Sequence, residues 1–176
     1  MMPGIIREFG GKIPTVASTA FVADTAVLIG DVTVEDGASI WYGVVLRGDI
    51  APIVIHRGAN VQDNAVGHVE ADAPLIVGEG AIIGHSAVLH GCKVGRHTLI
   101  GMHATVLTGS TVGDEAIVAA GALVPERRVL PARFLAMGVP ARPVRPLTEV
   151  EVEALHTQGD DYVKLGELSK QSDQGT

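Results

Sequence analysis

Aliphatic residues recur along this chain at every sixth position. Val16, Val22, Leu28, Val34, Ile40 and Leu46 make a first series, resumed by Ile55 and Val61 and then by Val77, Ile83 and Leu89. A last series runs Val94, Ile100, Val106, Val112, Val118 and Val124. Four places after these stand mostly small residues, among them Ala20, Ala26, Ala38, Ala59, Ala65, Ala81, Ala87, Ala104, Ser110, Ala116 and Ala122. A period of six suits neither the 3.6-residue α-helix nor the coiled-coil heptad. It suits a short strand followed by a tight turn, stacked so that successive coils bury one another. The pattern therefore predicts an all-β repeat, a parallel β-helix of about six coils. The aliphatic residue fills the interior and the small residue lets the chain turn.

The rhythm breaks in four places. Three extra residues near Pro52 to Val54 separate the Leu46 and Ile55 hexads, and four enter near Ala71 to Pro74 as an external loop. One residue is missing between Leu89 and Val94, and after Val124 a crossing punctuated by Pro125, Pro131, Pro140, Pro143 and Pro146 replaces the repeat. Thr148 then reads as an N-cap, with Glu149 and Glu151 in the first turn where they favour the helix dipole. The expected division is a β-helix with lead-in and crossing over 1–146, a C-terminal α-helix over 147–170 packed on the prism and weakened by Gly159, and a frayed tail over 171–176. The repeat resembles the hexapeptide-repeat family. That resemblance implies a left-handed β-helix with three flat faces and eighteen residues per coil, whereas crossover rules alone favour the right hand.

Composition narrows the function classes. A net charge of −7 leaves no basic stripe to displace counterions, so no nucleic-acid partner is expected. No run approaches a membrane span, and the opening MMPGIIREFGGKIP lacks the long apolar segment of a signal peptide. Cys92 is the only cysteine, which excludes an internal disulfide and makes a reducing, cytoplasmic setting the expectation.

Candidate chemistry lies in the stretch GHSAVLHG, residues 84–91, which holds two histidines. Counting hexads separates them. Arg47, His68 and His90 share the second position of hexads one coil apart, so they should form a column with neighbours about 4.8 Å apart. His85 falls on an adjacent face, above Asp63 and below Met102. Two imidazoles in one column can share a metal; a third joins them only around a corner or from another subunit. Three neutral imidazoles that leave a fourth position open are the ligand set of a catalytic zinc site. His56, His97, His103 and His156 read as ordinary hydrogen-bonded histidines.

The blocks LRGD (46–49), NVQDNAVGH (60–68), IGHSAVLHG (83–91) and IGMHA (100–104) resemble the gamma-class carbonic anhydrases and carbonic-anhydrase-like hexapeptide proteins. The resemblance covers roughly residues 10 to 165. It implies a homotrimer with metal sites between subunits, His68 and His90 coming from one protomer and His85 from its neighbour. It implies zinc as the cofactor, with iron or cobalt as substitutes for an all-histidine site, and a lyase activity, the reversible hydration of CO2 to bicarbonate by metal-bound hydroxide. Arg47 and Asp49 then look like the charged pair beside the metal, or a plain interface ion pair. Gln62 looks like the amide that orients metal-bound solvent, with Asn60 and Asp63 supporting it. Tyr162 is either the tyrosine the family directs at the site or a helix-packing residue.

Three features depart from the family pattern. Ile50 stands where a glutamate follows the LRGD aspartate, and VEADAP is short for the acidic loop, with Glu70 and Asp72 as substitutes for proton export. Gly67 replaces an aliphatic residue before the first histidine, which predicts a small gap or a looser rung there. The competing functions are a hexapeptide acyltransferase using histidine as a general base, an acyl-CoA thioesterase, and a trimeric metal-binding homologue of low activity.

Overall fold

The computed structural model describes residues 4–174 and is a parallel β-solenoid closed by a single C-terminal helix. The expected residues 1–3 of the lead-in and 175–176 of the tail lie outside the described residues. Seven parallel rungs stack on one face: Phe21–Val22, Ser39–Ile40, Asn60–Val61, Ile82–Ile83, Leu99–Ile100, Ile117–Val118 and Phe134–Gly138. The solenoid thus has about seven turns, against about six read from the hexads. The repeat does not stop at Val124. Thr111 and Val112 pair with Val129 and Leu130, and Ile117 and Val118 with Leu135 and Ala136, so Leu130 and Ala136 continue the interior column. Prolines there occupy turns and the edge strand Ala141–Pro146, which folds back antiparallel on Phe134–Gly138, where a missing N–H is tolerated.

The interior is the predicted one. Leu28, Ile40, Leu46, Ile55, Ile83, Ile100 and Val118 are buried, and Ala26, Ala38, Ala59, Ala81, Ala87 and Ala104 are buried at the turns. Each side chain inside one coil rests on its counterpart in the next, so the core is one continuous apolar column. Both insertions are present, but the first lies earlier than Pro52 to Val54: Ile53 and Val54 pair in register with Val32 and Thr33, so the extra residues fall between Gly48 and Ile53. Leu28 pairs with Leu46 but Val34 with Ile55, the register shifting between Gly30 and Val32, so the three extra residues bow out of the strand Val45–Ile55. The four-residue insertion makes a small external turn pinned by Glu70 and Ala73.

The expected gap beside Gly67 does not exist. A Cβ on Gly67 would sit 2.7 Å from Leu46 Cδ2 and 2.8 Å from Leu75 Cδ2, because those two leucines lean into the space. A side chain at this position would have to displace those leucine methyls, so the rung holds no void.

The helix α1 (Glu149–Gln174) runs beyond the expected end at 170. Thr148 caps it with a reciprocal box: the Glu151 amide donates to Thr148 Oγ1 at 3.3 Å and the Thr148 amide to Glu151 Oε2 at 2.9 Å. Arg145 first, and the Thr148 amide next, hold the Glu151 carboxyl down to about 2. Leu147, Val152 and Leu155 seat the helix on Leu99, Ile117 and Leu135. Gly159 serves this docking. A Cβ there would lie 3.1 Å from the Gly80 carbonyl oxygen, so the residue that costs helix propensity also permits the close approach.

Candidate metal centre

Strand alternation sets the first half of the centre. Leu46, Gly67 and Leu89 point inward, so Arg47, His68 and His90 point outward from the strands Val45–Ile55, Val66–His68 and Val88–His90. Arg47 pairs in register with His68, and His68 with His90. The column of the hexad count is therefore real. His68 Nδ1 faces His90 Nε2 at 3.0 Å, His68 Nε2 lies 2.9 Å from Asp49 Oδ1, and His90 Nδ1 lies 2.8 Å from Thr108 Oγ1. Arg47 forms an ion pair with the other oxygen of Asp49.

These partners assign the protons. Burial pushes the Asp49 carboxyl up, but bonds from His68, its own backbone and Arg47 outweigh that and hold it below the usual carboxylate range. An ionised carboxylate only accepts, so His68 Nε2 carries a hydrogen and His68 Nδ1 a lone pair. His90 Nε2–H then donates to His68 Nδ1, and His90 Nδ1 accepts from the Thr108 hydroxyl.

His85 stands on a different corner, in the turn after Ile82–Ile83. Its Nδ1 lies 2.9 Å from Asp63 Oδ2, and its carbonyl accepts from the His103 amide one coil above. Among the described residues, no three His, Cys, Asp or Glu side chains of one chain converge tightly enough to hold a metal. The fold brings His68 and His90 together and holds His85 apart from them.

Of the remaining candidates, Asp63 meets His85, and Gln62 and Tyr162 lie beside Asp63. Gln62 is only 5% exposed, one position before Asp63. Tyr162 reaches from α1 and packs edge-on against Trp41 at 6.3 Å between ring centroids. Burial first, and the Asp63 charge second, push its phenol up, against a hydrogen bond with Gln62. Tyr162 thus both packs the helix and borders Gln62 and Asp63. Asn60 is buried beneath α1, its Nδ2 donating to Ser39 Oγ at 2.8 Å, an oxygen that also accepts from Trp41 Nε1 at 3.1 Å. Its Oδ1 has no partner. Asn60 therefore holds the Trp41 layer on which Tyr162 rests.

Ile50 projects into solvent, 54% exposed, beside Asp49. Thr108 escaped the sequence reading. The coil is one residue short between Leu89 and Val94, so the strict column puts Leu107 above His90, and Thr108 reaches back to His90 from the following turn. The near-coil spacing of eighteen between His90 and Thr108 was the available signal.

The donor set fits a divalent metal. Two tetrahedral zinc ligands with Zn–N bonds of 2.0–2.1 Å lie about 3.3 Å apart, close to the 3.0 Å between His68 Nδ1 and His90 Nε2. Each imidazole offers its other nitrogen to an outer partner, Asp49 or Thr108, as ligating histidines do.

Comparison with known proteins follows the same lines. The bacterial transferase hexapeptide model (six repeats) matches residues 91–126. The chain is 44% identical over 162 residues to gamma carbonic anhydrase 1, mitochondrial, of Arabidopsis thaliana, covering 89% of this chain and 59% of that protein. It therefore spans less than two thirds of the plant relative's length. It is 43% identical over 157 residues to carnitine operon protein CaiE of Escherichia coli K12, covering 89% of this chain and 80% of CaiE. With carbonic anhydrase of Geobacillus kaustophilus it shares 38% identity over 166 residues, 94% of this chain and 91% of the relative. A Bacillus cereus crystal structure, provisionally described as an acetyltransferase, superposes with a TM-score of 0.95 at 35% identity, covering 97% of this chain and 99% of that one.

Proposed function

Because the chain belongs to the hexapeptide-repeat family, in the branch whose curated members are named gamma carbonic anhydrase, carbonic anhydrase and CaiE, we propose that it is a metal-dependent carbonic anhydrase. It would hydrate CO2 reversibly to bicarbonate at sites between the subunits of a homotrimer. The observation that carries this reading is the facing pair His68 Nδ1 and His90 Nε2, each ring backed by an outer partner.

His68 and His90 would hold the metal from one protomer and His85 from the next. Asp63 accepts from His85 Nδ1–H, which leaves His85 Nε2 free to ligate. When bound, zinc (or iron or cobalt) supplies Lewis acidity that makes water a nucleophile near neutral pH. The chain's own residues do the rest. Asp49 fixes the His68 tautomer, Arg47 neutralises Asp49, and Gln62 would offer its amide to the bound solvent, held by a hydrogen bond with Tyr162. The raised Tyr162 phenol stays protonated at neutral pH and adds no charge there. Val66 and Val88, 40% and 38% exposed, flank the two histidines and supply apolar surface for subunit association. A cyclic trimer joins two different surfaces of each protomer, which suits ligands placed on two different corners.

Acyl transfer is the second reading, favoured by the description of the Bacillus cereus structure. Metal analysis of the purified protein, followed by CO2 hydration and acetyl-CoA turnover with and without chelator, separates the two. The proposal expects one metal per chain and chelator-sensitive hydration. Metal-free protein that turns over acetyl-CoA would overturn it.

A further inference from the structure

Thr108 makes one side-chain contact of chemical consequence, its hydroxyl against His90 Nδ1 at 2.8 Å. On the other side of that ring, His90 Nε2 bonds to His68 Nδ1, and beyond it His68 Nε2 bonds to Asp49. The far end of this chain is fixed, because the Asp49 carboxylate can only accept. The near end is not, because a hydroxyl both donates and accepts.

We propose that Thr108 is the positioning residue of this centre, a hydroxyl that satisfies His90 Nδ1 in either tautomer and so allows His90 Nε2 to release its hydrogen and take a metal. The inference rests on the reading of His68 and His90 as metal ligands. In the metal-free chain the hydrogen of neutral His90 sits on Nε2, and the Thr108 hydroxyl donates to Nδ1. For His90 Nε2 to ligate, that hydrogen must leave Nε2 and Nδ1 must take one up. The Thr108 hydroxyl then rotates and accepts from Nδ1–H, its own hydrogen turning toward solvent from a half-buried position. The ring stays neutral throughout, with one hydrogen before and one after. His68 needs no such change, since its Nε2–H already points at Asp49 and its Nδ1 is already a lone pair. A carboxylate in place of Thr108 could serve only the Nδ1–H tautomer. A methyl group could serve neither.

Thr108→Val keeps the shape of the side chain and removes the hydroxyl; Thr108→Ser restores it. Zinc affinity, measured by chelator competition on the full chain, should fall on the order of 10–100-fold in Thr108→Val, the usual loss for an outer partner of a ligating histidine. It should return to within a few-fold of wild type in Thr108→Ser. A second readout needs no metal. Imidazole 15N shifts of the metal-free protein should show His90 protonated on Nε2 in both wild type and Thr108→Val, because His68 Nδ1 selects that tautomer, with the Nδ1 resonance displaced in Thr108→Val as its hydrogen bond is lost. Unchanged affinity in Thr108→Val, with a wild type that binds zinc stoichiometrically, would overturn the inference, as would a His90 Nδ1 shift that is the same in the two metal-free proteins. A wild type that binds no zinc would instead sink the carbonic anhydrase reading, while the His90 Nδ1 shift would still decide whether the Thr108 hydroxyl holds that ring.

Discussion

Gly67 shows how much one hydrogen atom decides at the residue scale. The family pattern puts an aliphatic residue there, and Leu46 and Leu75 have already taken its volume. Gly67→Ala should therefore destabilise the fold by about 1–3 kcal/mol through overpacking, read as a lower melting temperature. A stability gain would mean that the rung does contain a void. Sequence alone located His68, His85 and His90 on their faces because a column follows from counting. It missed Thr108 and misjudged Gly67 because both depend on how neighbours lean across a rung, which a period of six does not encode. The pairing of Asp49 with His68 was equally invisible: Asp49 lies where the three-residue insertion shifts the register, beyond the reach of strict alternation.

Elements that obey the period were legible and those that depart from it were not. Hexads and the presence of both insertions could be read directly, whereas Leu130 and Ala136 were hidden by the prolines around them. The helix was expected from its cap and expected to pack on the solenoid, but the contacts that dock it were not legible. His97 and His156 stack at 3.9 Å between ring centroids where α1 meets the solenoid, with Glu79, Glu115 and Asp160 around them. His156 Nε2 lies 2.9 Å from Glu115 Oε1, and Glu115 in turn meets Arg133. Burial first, then the neighbouring His156, pull the His97 pKa below its ordinary 6.5. Between those values the unfolded chain binds more protons than the folded one, so stability rises with pH. The contribution is full above about 6.5 and declines as pH falls below it. Melting temperature or amide protection of α1 should fall in that window, and His97→Asn should flatten the response. Asparagine is the suitable replacement because His97 has a φ of 49° and asparagine tolerates the left-handed region. An unaltered pH response in His97→Asn would contradict this account of the docking.

At the scale of the whole molecule, the proposed function makes each chain carry halves of two different sites. His68 and His90 face each other on one surface and His85 stands on another corner, so the proposed ligand set would be completed by a second protomer. Complementation tests this most directly. His68→Ala and His85→Ala should each lose zinc as separate homotrimers, since every interface then lacks a ligand. Refolded together in equal amounts they should regain about a quarter of the wild-type zinc, because a directional interface between two different surfaces draws the intact pair from one variant and the intact His85 from the other in about one case in four. Zinc regained near that level, with hydration activity in proportion, is the predicted result. No zinc in the mixture, or full zinc in His85→Ala alone, would contradict a site shared between subunits.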